Sequence, residues 1–187
     1  MDDGEPSYMH RWTFDLGSGA VGEQQLDGDS HAFPRVDDRV VGLKHRYGWG
    51  VAPRGGGTGV IVDPGTVVKW DFQTGTQQIY DFGPNSFPGE FVFVQDDDNA
   101  GEDEGWAMGL VYDQSTETSD LVILDATAPG TDPVARIHLP QRVRSACTAG
   151  GSTTPPSEAS AVCVAFWVTR SAETVTQTLV GQGWGAA

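Results

Sequence analysis

The side chains that could support chemistry in this 187-residue sequence are few and scattered. The histidines and cysteines, which could bind a metal, are His10, His31, His45, His138, Cys147 and Cys163. Two cysteines are too few for a disulfide framework or a zinc cluster. No Ser/His/Asp or Cys/His grouping stands out along the chain. Glu90, in the run Pro88-Gly89-Glu90-Phe91, would taken alone be an exposed acid at the start of a strand.

Two loop-like segments could bind a small ligand. The acidic run 96–104 could bind Ca²⁺, but it lacks the EF-hand order of ligands around a central glycine, so we favour a solvated inter-strand loop. The run Gly55-Gly56-Gly57-Thr58-Gly59 is similar to a phosphate-binding loop. It has no Lys-Ser/Thr and no following helix, so we favour a flexible hairpin loop.

Composition excludes several classes of protein. The formal net charge is −15, and such an acidic surface would repel nucleic-acid phosphates. No run of about 18 apolar residues exists, so we expect no membrane-spanning segment. The first five residues are acidic and lack an apolar stretch, so we expect no signal peptide and a cytoplasmic location.

Short β signals recur along residues 1–143, and no stretch shows a helical periodicity. The segments are rich in Val, Ile, Phe, Tyr, Trp and Thr, which favour strands. We therefore predict an antiparallel, all-β fold. The predicted strands are 11–16, 23–26, 45–52, 59–62, 67–72, 77–82, 90–94, 106–112, 120–124 and 134–139.

One local pattern repeats in the first 143 residues. An aromatic residue and Asp end a strand before a Ser/Thr/Gly turn at 14–19 and 70–75, with a weaker copy at 112–116. Asp can bond the turn backbone and Gly supplies a positive φ. Spacings of about 40–55 residues fit four-stranded propeller blades, although such hairpins occur in many β proteins. Only two or three blades fit this length, so we predict a partial propeller with unpaired sheet edges.

The composition changes near residue 143. Residues 1–143 contain 18 Asp and residues 144–187 contain none. The last 44 residues also lack Lys, His and Tyr. A disordered tail or linker is one interpretation, but the apolar run 161–168 is unlike a solvated linker. An out-of-frame translation is another.

Several stretches of residues 8–143, in this order, resemble the C-terminal third of the carotenoid cleavage oxygenases, the family that includes the retinal-pigment-epithelium isomerase and bacterial lignostilbene dioxygenases. The stretches are His10-Arg11-Trp12-Thr13, 33–39, Gly42, His45-Arg46-Tyr47-Gly48, Val68-Lys69-Trp70-Asp71, 88–94, Asp103-Glu104-Gly105-Trp106, 119–126 and 135–140.

The resemblance implies a seven-bladed β-propeller with a non-haem Fe(II) on its axis. In the family four histidines bind the iron, and three glutamates hold three of the imidazoles in orientation. Together with O₂, that centre cleaves an alkene bond of a carotenoid, apocarotenoid or stilbene into two carbonyl products. The hydrophobic substrate is expected to enter through an apolar tunnel.

Carried over position by position, Glu90 matches one of the supporting glutamates, expected to accept a hydrogen bond from an iron-ligand imidazole. Phe91 stands where the family usually has Pro. A second supporting glutamate is replaced by Ala32, so that role is lost. The four histidines fall on motif positions that do not bind iron in the family. We therefore expect this chain alone to bind no iron and to be inactive.

The fourth iron ligand should follow Leu139-Pro140-Gln141-Arg142-Val143 in a Pro-Phe-Gly-Phe/Leu-His-Gly-x-Trp motif. The sequence reads Arg-Ser-Ala-Cys-Thr-Ala-Gly-Gly from Arg144 to Gly151 instead. The genetic code allows codons for those eight residues that give a different peptide when one cytosine is inserted before them and the reading frame shifts. In the shifted frame they encode Pro-Phe-Gly-Leu-His-Gly-Gly-Trp. We therefore interpret residues 144–187 as an out-of-frame or disordered tail behind a unit of propeller blades, residues 1–143.

Two functions stay open from the sequence. The first is a fragment of an iron-dependent, alkene-cleaving dioxygenase. The second is a non-catalytic propeller-type binding module with a disordered tail. Upstream sequence carrying three well-spaced histidines would favour the first.

Overall fold

The computed structural model describes residues 7–57, 64–140, 142–143, 165–170 and 174–182, the last two ranges as backbone strands only. Twelve strands and one short 3₁₀ helix, Asp38–Val40, make up these parts. The strands are β1 Ser7–Asp15, β2 Val21–Ser30, β3 Ala32–Arg35, β4 Tyr47–Pro53, β5 Pro64–Asp71, β6 Thr76–Asp81, β7 Ser86–Gln95, β8 Gly105–Asp113, β9 Thr118–Asp125, β10 Ala135–His138, β11 Ala165–Arg170 and β12 Thr174–Gln182. No helix in the described parts is long and apolar enough to span a membrane.

The strands form three antiparallel sheets of four. Sheet I has the order β11-β12-β1-β2, sheet II β3-β4-β5-β6, and sheet III β10-β9-β8-β7. Sheets II and III each consist of four strands that follow one another along the chain, as four-stranded propeller blades do. Sheet I instead pairs the first two strands with the last two. The prediction of an antiparallel all-β fold is confirmed.

The aromatic-Asp turns form as predicted. Asp15 Oδ1 accepts the N–H groups of Gly17 and Ser18 at 2.8 and 2.9 Å, and Gly19 has φ +73°. Asp71 and Gly75 repeat the arrangement between β5 and β6, with φ +72° at the glycine. In the first turn, the hydrogen bonds from Ser18 and Gly17 hold the pKa of the exposed Asp15 carboxyl below its ordinary value.

The weaker third copy has the same Asp bond with a different turn residue. Asp113 Oδ1 accepts the N–H of Ser115 at 2.7 Å between β8 and β9. Glu117 occupies the left-handed position with φ +55°. A side chain is strained there, so this turn is specified by the aspartate more than by the residue at positive φ.

The sheets are stacked face to face around two separate apolar clusters. The larger lies between sheets II and III. Its buried members are Trp49, Val51, Val67, Phe82, Phe91, Ala107, Val111, Val122, Leu124 and Ala126. The smaller lies between sheets I and II, and its buried members are Met9, Ala52, Val68 and Trp70. Sheet II is therefore the central layer of the stack.

Four segments differ from the sequence expectations or lie outside the structure's described residues. β3 was not predicted, because Pro34 cannot donate a ladder hydrogen bond and the strand is short. The predicted strand 59–62 lies outside the described residues. Within the segment that we interpreted as an out-of-frame or disordered tail, the structure describes the strands β11 and β12, and β12 pairs with β1 over nine residues from Ser7 to Asp15.

Backbone chemistry accounts for the pairing of this tail. The free edge of β1 presents N–H and C=O groups that any extended segment can satisfy, and β12 is rich in Thr and Val, which favour strands. Because ladder hydrogen bonds do not depend on side-chain identity, pairing is compatible with an out-of-frame origin, which stays a prediction. Cys147 and Cys163 lie outside the described residues.

Candidate functional site

Glu90 lies at an irregularity in β7. Pro88 pairs with Val111 and Phe91 pairs with Gly109 on β8, so two residues of β7 oppose the single residue Leu110. This is a β-bulge, a feature that redirects a side chain and is common beside active sites. The Glu90 side chain is 22% exposed.

A second irregularity lies in β3, at the position where the family resemblance expects a glutamate. Ala32 pairs with Val51 and Arg35 with Trp49, so Phe33 and Pro34 together oppose Gly50. Phe33 has φ +50°, a strained conformation for a bulky residue. The bulge is therefore present although Ala32 carries no carboxylate.

The two bulged strands are joined by an ion pair. Arg35 Nε lies 2.7 Å from Glu90 Oε1, and the two side chains are 40% and 22% exposed. β3 and β7 are the edge strands of sheets II and III, and they contact each other. The pair thus joins two adjacent blades across their edges.

Sequence reasoning assigned no role to Arg35. The available signal was local: Arg35 follows Phe33-Pro34, and Glu90 lies between Pro88 and Phe91. A charged residue beside a buried proline and a packed aromatic residue projects from a backbone of restricted conformation. Which two charges meet depends on how the sheets stack, which no local pattern specifies.

The four histidines lie in four different environments. His10 stacks on Trp12 and its Nδ1 lies 2.9 Å from Glu23 Oε1. His45 Nδ1 lies 3.2 Å from the Leu43 carbonyl oxygen. His138 Nδ1 is bonded to Asp120 Oδ1 at 2.8 Å and is largely exposed.

His31 is the most buried histidine of the four, with 1% of the residue exposed. Its Nε2 lies 2.8 Å from Asp27 Oδ2, and its ring meets Trp70 edge-on. Asp27 also accepts hydrogen bonds from Trp70 Nε1 and Gln77 Nε2. Burial raises the pKa of the Asp27 carboxyl, but the bonds from His31 and the Asp29 N–H outweigh it and hold that pKa well below its ordinary value.

The described residues do not fit an iron centre of their own. No group of three or more His, Cys, Asp or Glu side chains within them could hold a metal ion. All four histidines of the chain belong to this described part, and each is engaged as above. A site for iron would need histidines from elsewhere.

The acidic loop 96–104, between β7 and β8, differs from the solvated loop that we favoured. Asp96, Asp97 and Asp98 are exposed. Glu102 Oε1, however, accepts the backbone N–H groups of Arg46 and Tyr47 at 2.6 and 2.7 Å. The second half of the loop therefore binds sheet II instead of solvent.

Lys69 makes a further contact between sheets II and III. Only 4% of its side chain is exposed, and Nζ donates to Asp103 Oδ2 at 2.6 Å and to the Ala126 carbonyl oxygen at 2.7 Å. The ammonium also lies 4.3 and 5.5 Å from the ring centroids of Tyr47 and Trp49. These contacts fix the loop that follows the strand bearing Glu90.

The stacked four-stranded antiparallel sheets, with bulged edge strands that carry an ion pair, define the chain as part of a β-propeller protein. Residues 2–147 match the model of the family described as retinal pigment epithelial membrane protein. The chain belongs to that family, as the sequence resemblance predicted.

Curated relatives are similar over the same part of the chain. A lignostilbene-alpha,beta-dioxygenase isozyme III of Sphingomonas paucimobilis is 37% identical over 150 residues, which cover 74% of this chain and 30% of that protein. A carotenoid cleavage oxygenase of Mycobacterium tuberculosis is 34% identical over 144 residues, or 75% of this chain and 28% of that protein. The chain thus spans less than a third of the length of these relatives.

A solved structure supports the fold assignment. A cobalt-substituted apocarotenoid oxygenase of Synechocystis matches with a TM-score of 0.71 and 29% sequence identity. The match covers 75% of this chain and 29% of that one. The matched part of this chain therefore corresponds to a portion of a larger propeller.

Proposed function

We propose that this chain contributes the C-terminal blades of an oxygenase that cleaves alkene bonds of carotenoids, apocarotenoids or stilbenes. The observation that carries the proposal is Glu90 on the bulge of β7, within a chain that matches the family over residues 2–147. Hydrophobic polyene or stilbene and O₂ are the proposed substrates. The action of the intact protein on these substrates stays a prediction. A cytoplasmic location also stays a prediction.

Glu90 is the residue of this chain that we assign to the site. Its carboxylate would accept the N–H of an imidazole supplied by a segment outside the described residues, which would fix the tautomer and direction of that ring. When bound by such imidazoles, Fe(II) would supply the site for O₂ activation. The chain by itself is then a supporting part of the site and not a complete catalyst.

The loss of a glutamate at Ala32 has a consequence within this proposal. Residues in this supporting position orient a ligand, and their removal costs about 10–100-fold in metal affinity or activity. With Ala32 in place, one imidazole has no carboxylate from β3. We therefore propose that the intact parent depends more heavily on Glu90 than relatives with both carboxylates do.

The proposal is tested by complementation. One cytosine is inserted into the coding DNA before codon 144, and the resulting chain is combined with the upstream two-thirds of the Sphingomonas relative. Carbonyl products from a stilbene are then measured. We expect cleavage in the combined sample and a loss of about 10–100-fold with Glu90→Gln. Glu117→Gln, on a hairpin turn, is the matched control and should leave the rate unchanged.

Two outcomes would count against the proposal. Full activity with Glu90→Gln would remove the role of the carboxylate. Binding of the polyene without any cleavage, in a sample that contains all the histidines, would favour the alternative of a non-catalytic binding module.

A further inference from the structure

We propose that Arg35 is the positioning residue for Glu90, and that its guanidinium holds the carboxylate in one orientation at the edge of β7. This inference rests on the function proposed above for Glu90. It assigns a role to a residue of the neighbouring blade, so the orientation of the carboxylate depends on how sheets II and III are stacked.

The backbone on the Glu90 side is held firmly. Pro88 and Phe91, which flank the bulge, are both less than 2% exposed. The Phe91 ring packs so closely on Gly109 that a Cβ there would lie 2.3 Å from a ring carbon. Because both neighbours are anchored, the carboxylate can move only through the side-chain torsions of Glu90.

The backbone on the Arg35 side is equally constrained. Pro34 is buried and fixes its own φ, and Phe33 holds a left-handed conformation while packing against the large apolar cluster. Arg35 then pairs with Trp49, which is 1% exposed. The guanidinium therefore starts from a fixed point on β3.

The Arg35–Glu90 ion pair joins these two fixed points. A glutamate side chain loses considerable rotamer freedom when it is held in one orientation, and a charge-assisted N–H···O bond of 2.7 Å offsets that loss. Arginine suits the task because its N–H groups point in fixed directions, whereas an ammonium does not prefer a direction.

The chain offers a matched control in Arg54. Arg54 Nε lies 2.8 Å from Asp81 Oδ1, and the side chains are 36% and 49% exposed. The Nε–Oδ1 distance is nearly the same as in Arg35–Glu90, but this pair joins the residue that follows β4 to the end of β6, both at sheet II. Arg54→Met therefore removes a similar ion pair without touching β7.

The experiment measures the order of the Glu90 side chain by NMR in the full chain labelled with ¹³C-glutamate. Arg35→Met should release the Glu90 methylenes, with order parameters falling toward the values below about 0.6 that mark flexible groups. Arg35→Lys should restore part of that order, and Arg54→Met should change nothing at Glu90. Order is read only from signals of the folded form, so partial unfolding of a variant does not affect the result.

Unchanged order of Glu90 in Arg35→Met, or an equal loss in Arg54→Met, would overturn the inference. In the complemented enzyme, Arg35→Met should lower kcat about tenfold with KM unchanged, and should cause no further loss in a Glu90→Gln background. If Arg35→Met releases Glu90 while Glu90→Gln keeps full activity, the proposed function fails and the positioning contact stands. The reverse pattern overturns the role of Arg35 alone.

Discussion

The interface between sheets II and III and the interface between sheets I and II are stabilised by different interactions. The II–III interface buries ten apolar residues in one cluster and adds the Lys69–Asp103 and Arg35–Glu90 ion pairs. The I–II interface buries four apolar residues and relies on the polar group of Asp27, His31, Trp70 and Gln77. The II–III interface therefore has the larger apolar core, and burial of apolar surface is the dominant favourable contribution to folding.

The difference between the two interfaces reflects where in the chain the strands of each sheet come from. Sheets II and III are each built from strands that follow one another along the chain. Sheet I takes β11 and β12 from the end of the chain. Residues 32–57 and 64–138 therefore contain the larger apolar cluster together with both Arg35 and Glu90.

The largest expected effect is on the II–III interface. Lys69→Met should destabilise the chain by about 3 kcal/mol, because removing one partner of a buried ion pair leaves the other charge unpaired. Denaturant unfolding followed by tryptophan fluorescence would measure this. Lys44→Met, at an exposed position, is the control and should change stability by less than about 0.5 kcal/mol. Equal effects of the two variants would contradict the buried role of Lys69.

A glycine pair sharpens the same comparison. A Cβ at Gly109 would lie 2.3 Å from the Phe91 ring, whereas one at Gly22 on β2 would meet nothing within 4 Å. Gly109→Ala should therefore cost about 1–3 kcal/mol through overpacking. Gly22→Ala should stay within about 0.5 kcal/mol of the parent. If the two variants unfolded at the same denaturant concentration, the claim that sheets II and III are tightly packed at Gly109 would be contradicted.

A smaller effect is expected at the I–II interface, and it depends on pH. The folded-state pKa of Asp27 is held below its ordinary value, so its stabilisation is fully present above about pH 4 and is lost as the pH falls below that. On acidification, the β1 and β2 amides should lose protection against hydrogen exchange, relative to their intrinsic exchange rates, before the β4 and β5 amides do. The groups facing the carboxylate are His31, Trp70 and Gln77.

The control for this pH effect is a pair of substitutions. Asp27→Asn should lower stability by about 1–3 kcal/mol at neutral pH, as expected when a buried charged hydrogen-bond partner is removed, and should abolish much of the acid dependence. Asp38→Asn, at an exposed position, should do neither. Simultaneous opening of all three sheets on acidification would contradict the contrast between the interfaces.

The sequence was sufficient for strands β4 to β6 of sheet II and for strands β7 to β10 of sheet III. These strands are rich in β-branched and aromatic residues. The Asp71 turn, like the Asp15 turn of sheet I, is specified by residues that lie within a few positions of one another. Glu117 shows the limit, since nothing local indicates that a glutamate would take the positive φ that glycine takes in the other copies.

The site was predicted only in part. Glu90 was found through a motif, but its pairing with Arg35 and the burial of Lys69 depend on the stacking of separate sheets. The acidic loop was misjudged because composition indicates solvation, whereas Glu102 and Asp103 are bound by groups of sheet II that are distant in sequence. The pairing of β12 was missed because a free strand edge accepts a partner with little regard to its side chains.

The central claim is that this chain supports an iron centre whose ligands it does not itself supply. It is tested most directly by adding Fe(II) anaerobically to the purified chain, removing unbound metal and measuring iron by elemental analysis. The claim predicts far less than one equivalent of iron per chain. One equivalent that is lost on substitution of His10, His31, His45 or His138 would contradict it.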